Sequence, residues 1–343
     1  MDLKRKAEEE GDGEHKRKKR KLGRMRLGAD LILTLVEVNA SALRPRIPPS
    51  ATTFWQGIVI CHVNDSLSSA FDKLVENRIL ALPVLKDHNR FYGFVDMLDV
   101  VTKISDSFQE TPPSSAEDME LFQLGQFQHL SVSDAMDHPY DRHYASHPVR
   151  SNLSLFSAME TMASRKSRRL AVVGSDGRVN NVVTQSMAIR FLADAHSQIP
   201  ETTLSTTMQE LYETGKIPKT VQTVELDSPA ISAFRTMAEN QISALPVVDP
   251  FGHICDVMSI RDLRNLKKNL SSVSRLWLKV GDFKKVDQVA HHKLVTVDVE
   301  STLGEVLDHI RKTNVHRVFI LKDKMPVSVV SLTDLMSYFF LFA

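Results

Sequence analysis

The sequence predicts a mixed α/β (α+β) fold built from four copies of one β-α-β-β-α unit, packed in pairs. Three observations carry this. A small or apolar helical position (Ala70, Ala158, Ala233, Val306) is followed 14 residues later, in every copy, by the middle of a short apolar strand (Val84, Val172, Val247, Ile320). A third position, Asp99, Met187, Asp262 or Asp334, follows after another 14 or 15 residues. Each unit, at roughly 50 residues, is too small to bury its own sheet, so it needs a neighbour.

The first unit is expected over 55–105. Ile58-Val59-Ile60 reads as a strand and Asp65-Ser66 as a helix N-terminus. Leu67, Ala70, Phe71, Leu74 and Val75 then line one face at helical spacing. Residues 82–85 form a second strand, 87–90 a polar turn, Gly93-Phe94-Val95 a third strand, and 96–102 the start of another helix. A Ser/Pro/Gln-containing connector over 106–140 carries a short helix near 118–124. The second unit follows over 141–195, and the next connector, 196–215, carries a helix at 207–212. The third unit spans 216–268, a connector 269–286, and the fourth unit 287–343. Gly93, Gly177 and Gly252 read as turn glycines, and the apolar residues 338–342 as the end of a helix.

Ahead of the repeats, residues 1–30 read as a disordered basic tail and 31–54 as a linker with Pro45, Pro48 and Pro49. Residues 1–26 hold eleven Lys/Arg against six Asp/Glu, in a chain whose net charge is only +1. The body is therefore net acidic, unlike a basic nucleic-acid surface. The clusters Lys4-Arg5-Lys6 and 16–21 suit a bipartite nuclear-import signal, which implies nucleus and cytoplasm. A solvated arm touching nucleic acid or acidic lipid non-specifically is the other reading. Cys61 and Cys255 are the only cysteines, giving no disulfide framework and no CxxC knuckle. No apolar run approaches the ~18–20 residues of a membrane span.

Ser243-Ala244-Leu245-Pro246-Val247-Val248-Asp249, followed by Ser259-Ile260-Arg261-Asp262, resembles a CBS module. So does Val315-His316-Arg317-Val318 followed by Ser331-Leu332-Thr333-Asp334. The resemblance covers about 55–343, and four such modules resemble the gamma regulatory subunits of AMP-activated protein kinase and their yeast and plant relatives. It implies two Bateman pairs in a flat disk, with adenine nucleotides (AMP, ADP, ATP) in clefts between modules. It also implies two partners, a kinase catalytic subunit and a beta-type scaffold subunit.

The residues allow a parallel reading. Asp99, Asp262 and Asp334, each at a helix start, can accept two hydrogen bonds from a ribose diol. Asp96, Ser259 and Ser331 lie three residues earlier, with Thr333 close by. Ser259, Ser331 and Thr333, with the first helical N–H groups, would cradle phosphate. The same Asp and Ser residues would equally serve as helix caps. Ala81, Leu82, Pro83, Ala244, Leu245, Pro246 and Val318 are candidates to line an adenine. His316-Arg317 matches the family's phosphate-facing pair, and Arg168-Arg169 holds the equivalent place in the second unit; both could also be surface residues at a strand start. Leu80 and Ser186 depart from the family, standing where an Arg and a Lys are expected, so fewer cations face the phosphates. Met187 departs from the acidic pattern as the family's second repeat also does.

No catalytic constellation emerges from the sequence. His291-His292 would face apart on a strand, and Pro148 disfavours the helix that would unite His143 with His147. There is no GxxxxGK[ST], GxSxG or kinase HRD/DFG set. The expectation is a regulatory subunit that needs no cofactor. A stand-alone CBS protein binding adenosyl ligands for another target, or a ligand-free scaffold, are the alternatives.

Overall fold

The structure, a computed structural model, describes residues 27, 31, 35, 58–107, 129–136, 148–266, 272–286 and 293–341. Repeat 1 comprises β1 (Cys61–His62), α1 (Leu67–Glu76), β2 (Ala81–Lys86), β3 (Arg90–Asp96) and α2 (Met97–Ser107). Repeat 2 comprises β4 (Val149–Arg150), α3 (Leu155–Ser164), β5 (Arg169–Val173), β6 (Val179–Thr184) and α4 (Gln185–Asp194). After α5 (Met208–Glu213), repeat 3 follows with β7 (Val224–Glu225), α6 (Ala230–Glu239), β8 (Ala244–Val248), β9 (Ile254–Ser259) and a 3-10 helix, Ile260–Leu266. Then come α7 (Val280–Lys285) and repeat 4: β10 (Thr296–Asp298), α8 (Leu303–Thr313), β11 (Arg317–Lys322), β12 (Met325–Ser331) and α9 (Leu332–Phe340).

Each repeat forms its own three-stranded sheet, with a parallel crossover through a helix and then an antiparallel hairpin. The register repeats as well: Val84, Val172, Val247 and Ile320 each occupy the central strand of their sheet. Ser66 caps α1 by accepting from the Ser69 N–H, as the sequence suggests. The first strand differs from expectation. It pairs at Cys61–His62, while Ile58 and Val59 are buried just outside it. Gly93 is not a turn residue but lies inside β3, where a Cβ would come within 2.6 Å of Met136 Cε. The turn of that hairpin instead uses His88 and Asn89 in the left-handed region, as repeat 4 uses Asp323 and Lys324, where repeats 2 and 3 use Gly177 and Gly252.

Two kinds of packing hold the repeats together. Sheet faces pair sequential repeats: Ile58, Leu85 and Phe94 meet Ala171 and Val179, and Ala244 and Val257 meet Phe319. Helical faces pair alternate repeats. One core joins repeats 1 and 3 through Phe71, Leu98, Val101, Phe234 and Phe283; another joins repeats 2 and 4 through Met159, Leu192, Leu307 and Phe339. Leu27, Leu31 and Leu35 are fully buried in this second core. The rest of the expected tail and linker, over 1–30 and 31–54, lies outside the described residues. The basic clusters at 4–21, the helix near 118–124 and His143, His147, His291 and His292 lie outside the described residues. Among the described residues no helix is long and apolar enough to cross a membrane.

Candidate functional site

The hairpins of all four repeats converge on one cavity of about 1060 Å³. Strand alternation decides which residues face it. Ala81, Pro83, Ala244 and Pro246 line the cavity, whereas Leu82 and Leu245 turn to the opposite face and are fully buried in the repeat 1–3 core. On β11 the wall is Arg317 and Phe319, and Val318 points into the repeat 2–4 core. Leu82, Leu245 and Val318 are therefore corrected to core residues, because neighbouring strand positions cannot share a face.

The cavity is rich in cations. Arg168, Arg169 and Arg190 come from repeat 2, Arg78 from repeat 1, Arg261 from repeat 3, and His316 and Arg317 from repeat 4. Arg317 donates to the Ala244 carbonyl at 3.0 Å and to Ser243 Oγ at 2.5 Å, both neutral oxygens. Burial, with repulsion from Arg168 and Arg261, pushes its guanidinium down to about 9. Burial also lowers Arg261, which lies 2.8 Å from His316 Nε2. Arg168 reaches across to repeat 3 and donates to the Gln241 carbonyl at 3.0 Å. Arg169 differs: it lies 3.3 Å from the Asp96 carboxylate and over the Phe94 ring, with 5.7 Å to the centroid. These groups are half-buried, apart from the exposed Arg78, and like charges drawn partly out of water are costly unless an anion joins them.

The acidic candidates all cap helices. Asp99 accepts from the Asp96 N–H at 2.6 Å, Asp262 from the Ser259 N–H at 2.6 Å, and Asp334 from the Ser331 N–H at 2.8 Å. Ser259 and Ser331 also donate their hydroxyls to Asp262 and Asp334. Only Asp334 of the three lines the cavity, together with Ser331 and Thr333; Asp99, Asp262 and Ser259 are buried behind it. Burial raises the Asp334 carboxyl above its usual range, against the Ser331 hydrogen bonds and the Arg317 charge that lower it. Thr333 donates to Gln185 Oε1 at 3.0 Å, tying repeat 4 to repeat 2.

The model of the CBS domain matches this chain at residues 54–106, 132–194, 215–269 and 286–341. The chain belongs to the CBS-domain family. Its CBS repeats are similar to the 5'-AMP-activated protein kinase subunit gamma of Saccharomyces cerevisiae, 22% identical over 296 residues, covering 83% of this chain and 87% of that one. The Dictyostelium discoideum subunit gamma is 25% identical over 293 residues, 82% of this chain and 49% of the relative. The Homo sapiens subunit gamma-3 is 23% identical over 283 residues, 81% and 56%. Against these last two the chain spans about half of the relative's length. A solved Methanocaldococcus jannaschii protein, described as a proposed archaeal homolog of g-AMPK, matches with a TM-score of 0.64 at 14% identity, covering 88% of this chain and 100% of that one. That match shares the four-repeat CBS fold.

Leu80 and Ser186 both line the cavity, so each presents a neutral group at its wall. Sequence reasoning passed over Arg261, Arg190 and Gln241. Arg261 stood in plain sight between Ser259 and Asp262, but its approach to His316 spans 55 residues and leaves no local pattern.

Proposed function

We propose that this chain is an adenine-nucleotide-binding regulatory subunit of the gamma type, sensing AMP, ADP and ATP for an AMP-activated-type protein kinase. The observation that carries the proposal is the junction of cationic and hydroxyl groups in one cavity. Arg168, Arg261, His316 and Arg317 offer guanidinium forks and an imidazole to phosphates, and Asp334 offers its carboxylate to a ribose beside Ser331 and Thr333. Ala81, Pro83, Ala244 and Pro246 supply a small, apolar surface on which a flat base can rest. Buried Gln241 Oε1 has no hydrogen-bond partner among the described residues and could accept from a base amine.

In this reading the nucleotide binds where all four CBS repeats meet, so it alters their mutual packing, and a kinase catalytic subunit with a beta-type scaffold subunit reads the change through linkage. The gamma-type names of the curated relatives support the kinase partnership. Co-expression with a kinase catalytic subunit and a beta-type subunit tests it: a co-eluting ternary complex is expected, and a chain that elutes alone while still binding nucleotide would favour a stand-alone CBS protein. Saturating ATP should raise the melting temperature of the isolated chain, since a ligand of the native state stabilises by RT ln(1+[L]/Kd). An unmoved melting temperature would favour the ligand-free scaffold.

A further inference from the structure

Repeats 1–2 and repeats 3–4 are built alike, but their arginines are not treated alike. Arg169 opens β5 and is paired in register with Thr184; Arg317 opens β11 and is paired with Ser331. On the neighbouring repeat, Asp96 closes β3 opposite Ala81, and Ser259 closes β9 opposite Ala244. The two halves thus differ at one equivalent position by a carboxylate against a hydroxyl. Asp96 Oδ2 engages Arg169 at 3.3 Å, with side chains only 12% and 14% exposed, and Phe94 backs the guanidinium. Among the described residues, Arg317 donates its hydrogen bonds to the Ala244 carbonyl and the Ser243 hydroxyl. Space does not separate the halves. At about 1060 Å³ the shared cavity exceeds the ~300–1,000 Å³ that holds one drug-sized ligand.

We infer that Asp96 is a resident anion that occupies Arg169 in place of a ligand phosphate, and so limits this chain to one nucleoside polyphosphate, its phosphates held by Arg168, Arg261, His316 and Arg317. Charge, rather than room, then sets the stoichiometry. Asp96 acts as a specificity-determining residue, and its other oxygen serves the helix by accepting from the Leu98 and Asp99 N–H groups at 2.8 and 3.3 Å. Serine at the equivalent position of repeat 3 does the same capping, since Ser259 Oγ accepts from the Arg261 N–H at 3.3 Å. The substitution Asp96→Ser therefore removes the charge and keeps the cap.

The inference rests on the nucleotide-binding reading, and one titration separates their failures. Full-length wild type and Asp96→Ser are titrated calorimetrically with ATP, after their circular dichroism and melting curves show intact folding. The expected stoichiometry is one for wild type and two for Asp96→Ser, with the second site within about tenfold of the first in Kd. The double variant Asp96→Ser/Arg169→Met is expected to return to one. A wild type that binds two, or an Asp96→Ser that still binds one, overturns the inference and leaves the nucleotide reading standing. If wild type binds none and Asp96→Ser binds one, the nucleotide reading fails while the resident anion holds. If neither binds, both fall.

Discussion

Asp334 caps a helix and lines the cavity, where the sequence offers capping and ribose binding as alternatives. Its Oδ2 takes the Ser331 N–H and hydroxyl, closing a capping box, while the residue also lines the cavity beside Thr333. Replacing it by Asn keeps an oxygen for the cap but removes the charge, so adenosine affinity is expected to fall about tenfold, the worth of a charge-assisted hydrogen bond. Isothermal calorimetry with adenosine checks this, and unchanged affinity would remove the ribose role. The raised Asp334 pKa fixes a pH dependence. With a folded pKa above the unfolded one, ionisation costs the folded state, and that cost is relieved as pH falls through the folded value toward the usual carboxylate range. Nucleotide affinity runs the opposite way, declining as pH falls through that raised pKa and the acceptor is protonated, and Asp334→Asn should lose that dependence. On the phosphate side, Arg168→Ala with His316→Ala is expected to weaken ATP at least tenfold more than adenosine. Equal losses for both ligands would count against phosphate contacts.

At the scale of elements, strand alternation separates residues that line the cavity from residues that face the helical cores. Leu245 belongs to the repeat 1–3 core, so Leu245→Ala is expected to cost about 2–5 kcal/mol of stability in urea unfolding. Ala244, one residue earlier, lines the cavity at the edge of the Val257 and Phe319 contact, so Ala244→Leu should obstruct nucleotide and cost about 1–3 kcal/mol by overpacking. A second element-scale expectation concerns α7. Its buried Lys284 donates to Asp256 Oδ1 at 2.9 Å and to the Val257 carbonyl, pinning the helix to β9. Lys284→Ala should cost on the order of 2 kcal/mol, below the figure for a fully buried pair because Asp256 can rehydrate. These two cases also mark how far sequence reading reached. The 14-residue interval placed Val84, Val172, Val247 and Ile320 in the central strands, because helix and strand periods are local. Short apolar runs such as Ala81-Leu82-Pro83 do not declare which face is buried, so nothing local tells that Leu82, Leu245 and Val318 face the helical cores. Pairs such as Arg169–Asp96 join residues 73 apart in sequence, and Lys284 looks like any exposed lysine until its partners are in place.

For the whole molecule, the consequence lies in two crossed pairings. Sheets join repeats 1 to 2 and 3 to 4, while helices join 1 to 3 and 2 to 4, so each repeat is fastened to two others. A ligand at the common junction touches all four and can bias how the pairs sit against each other. Two links already border the cavity: Arg168 to Gln241 runs between the pairs, and Arg261 to His316 joins repeats 3 and 4 within the second pair. The central claim is that this junction is a nucleotide site whose affinity comes from phosphate meeting buried arginines. Calorimetric titration of the purified chain with adenosine, AMP, ADP and ATP tests it most directly, with Arg317→Met as the paired variant. The account predicts saturable binding that tightens from adenosine to the phosphorylated ligands, with the gain lost in Arg317→Met. Absence of binding, or adenosine binding as tightly as ATP, would contradict it.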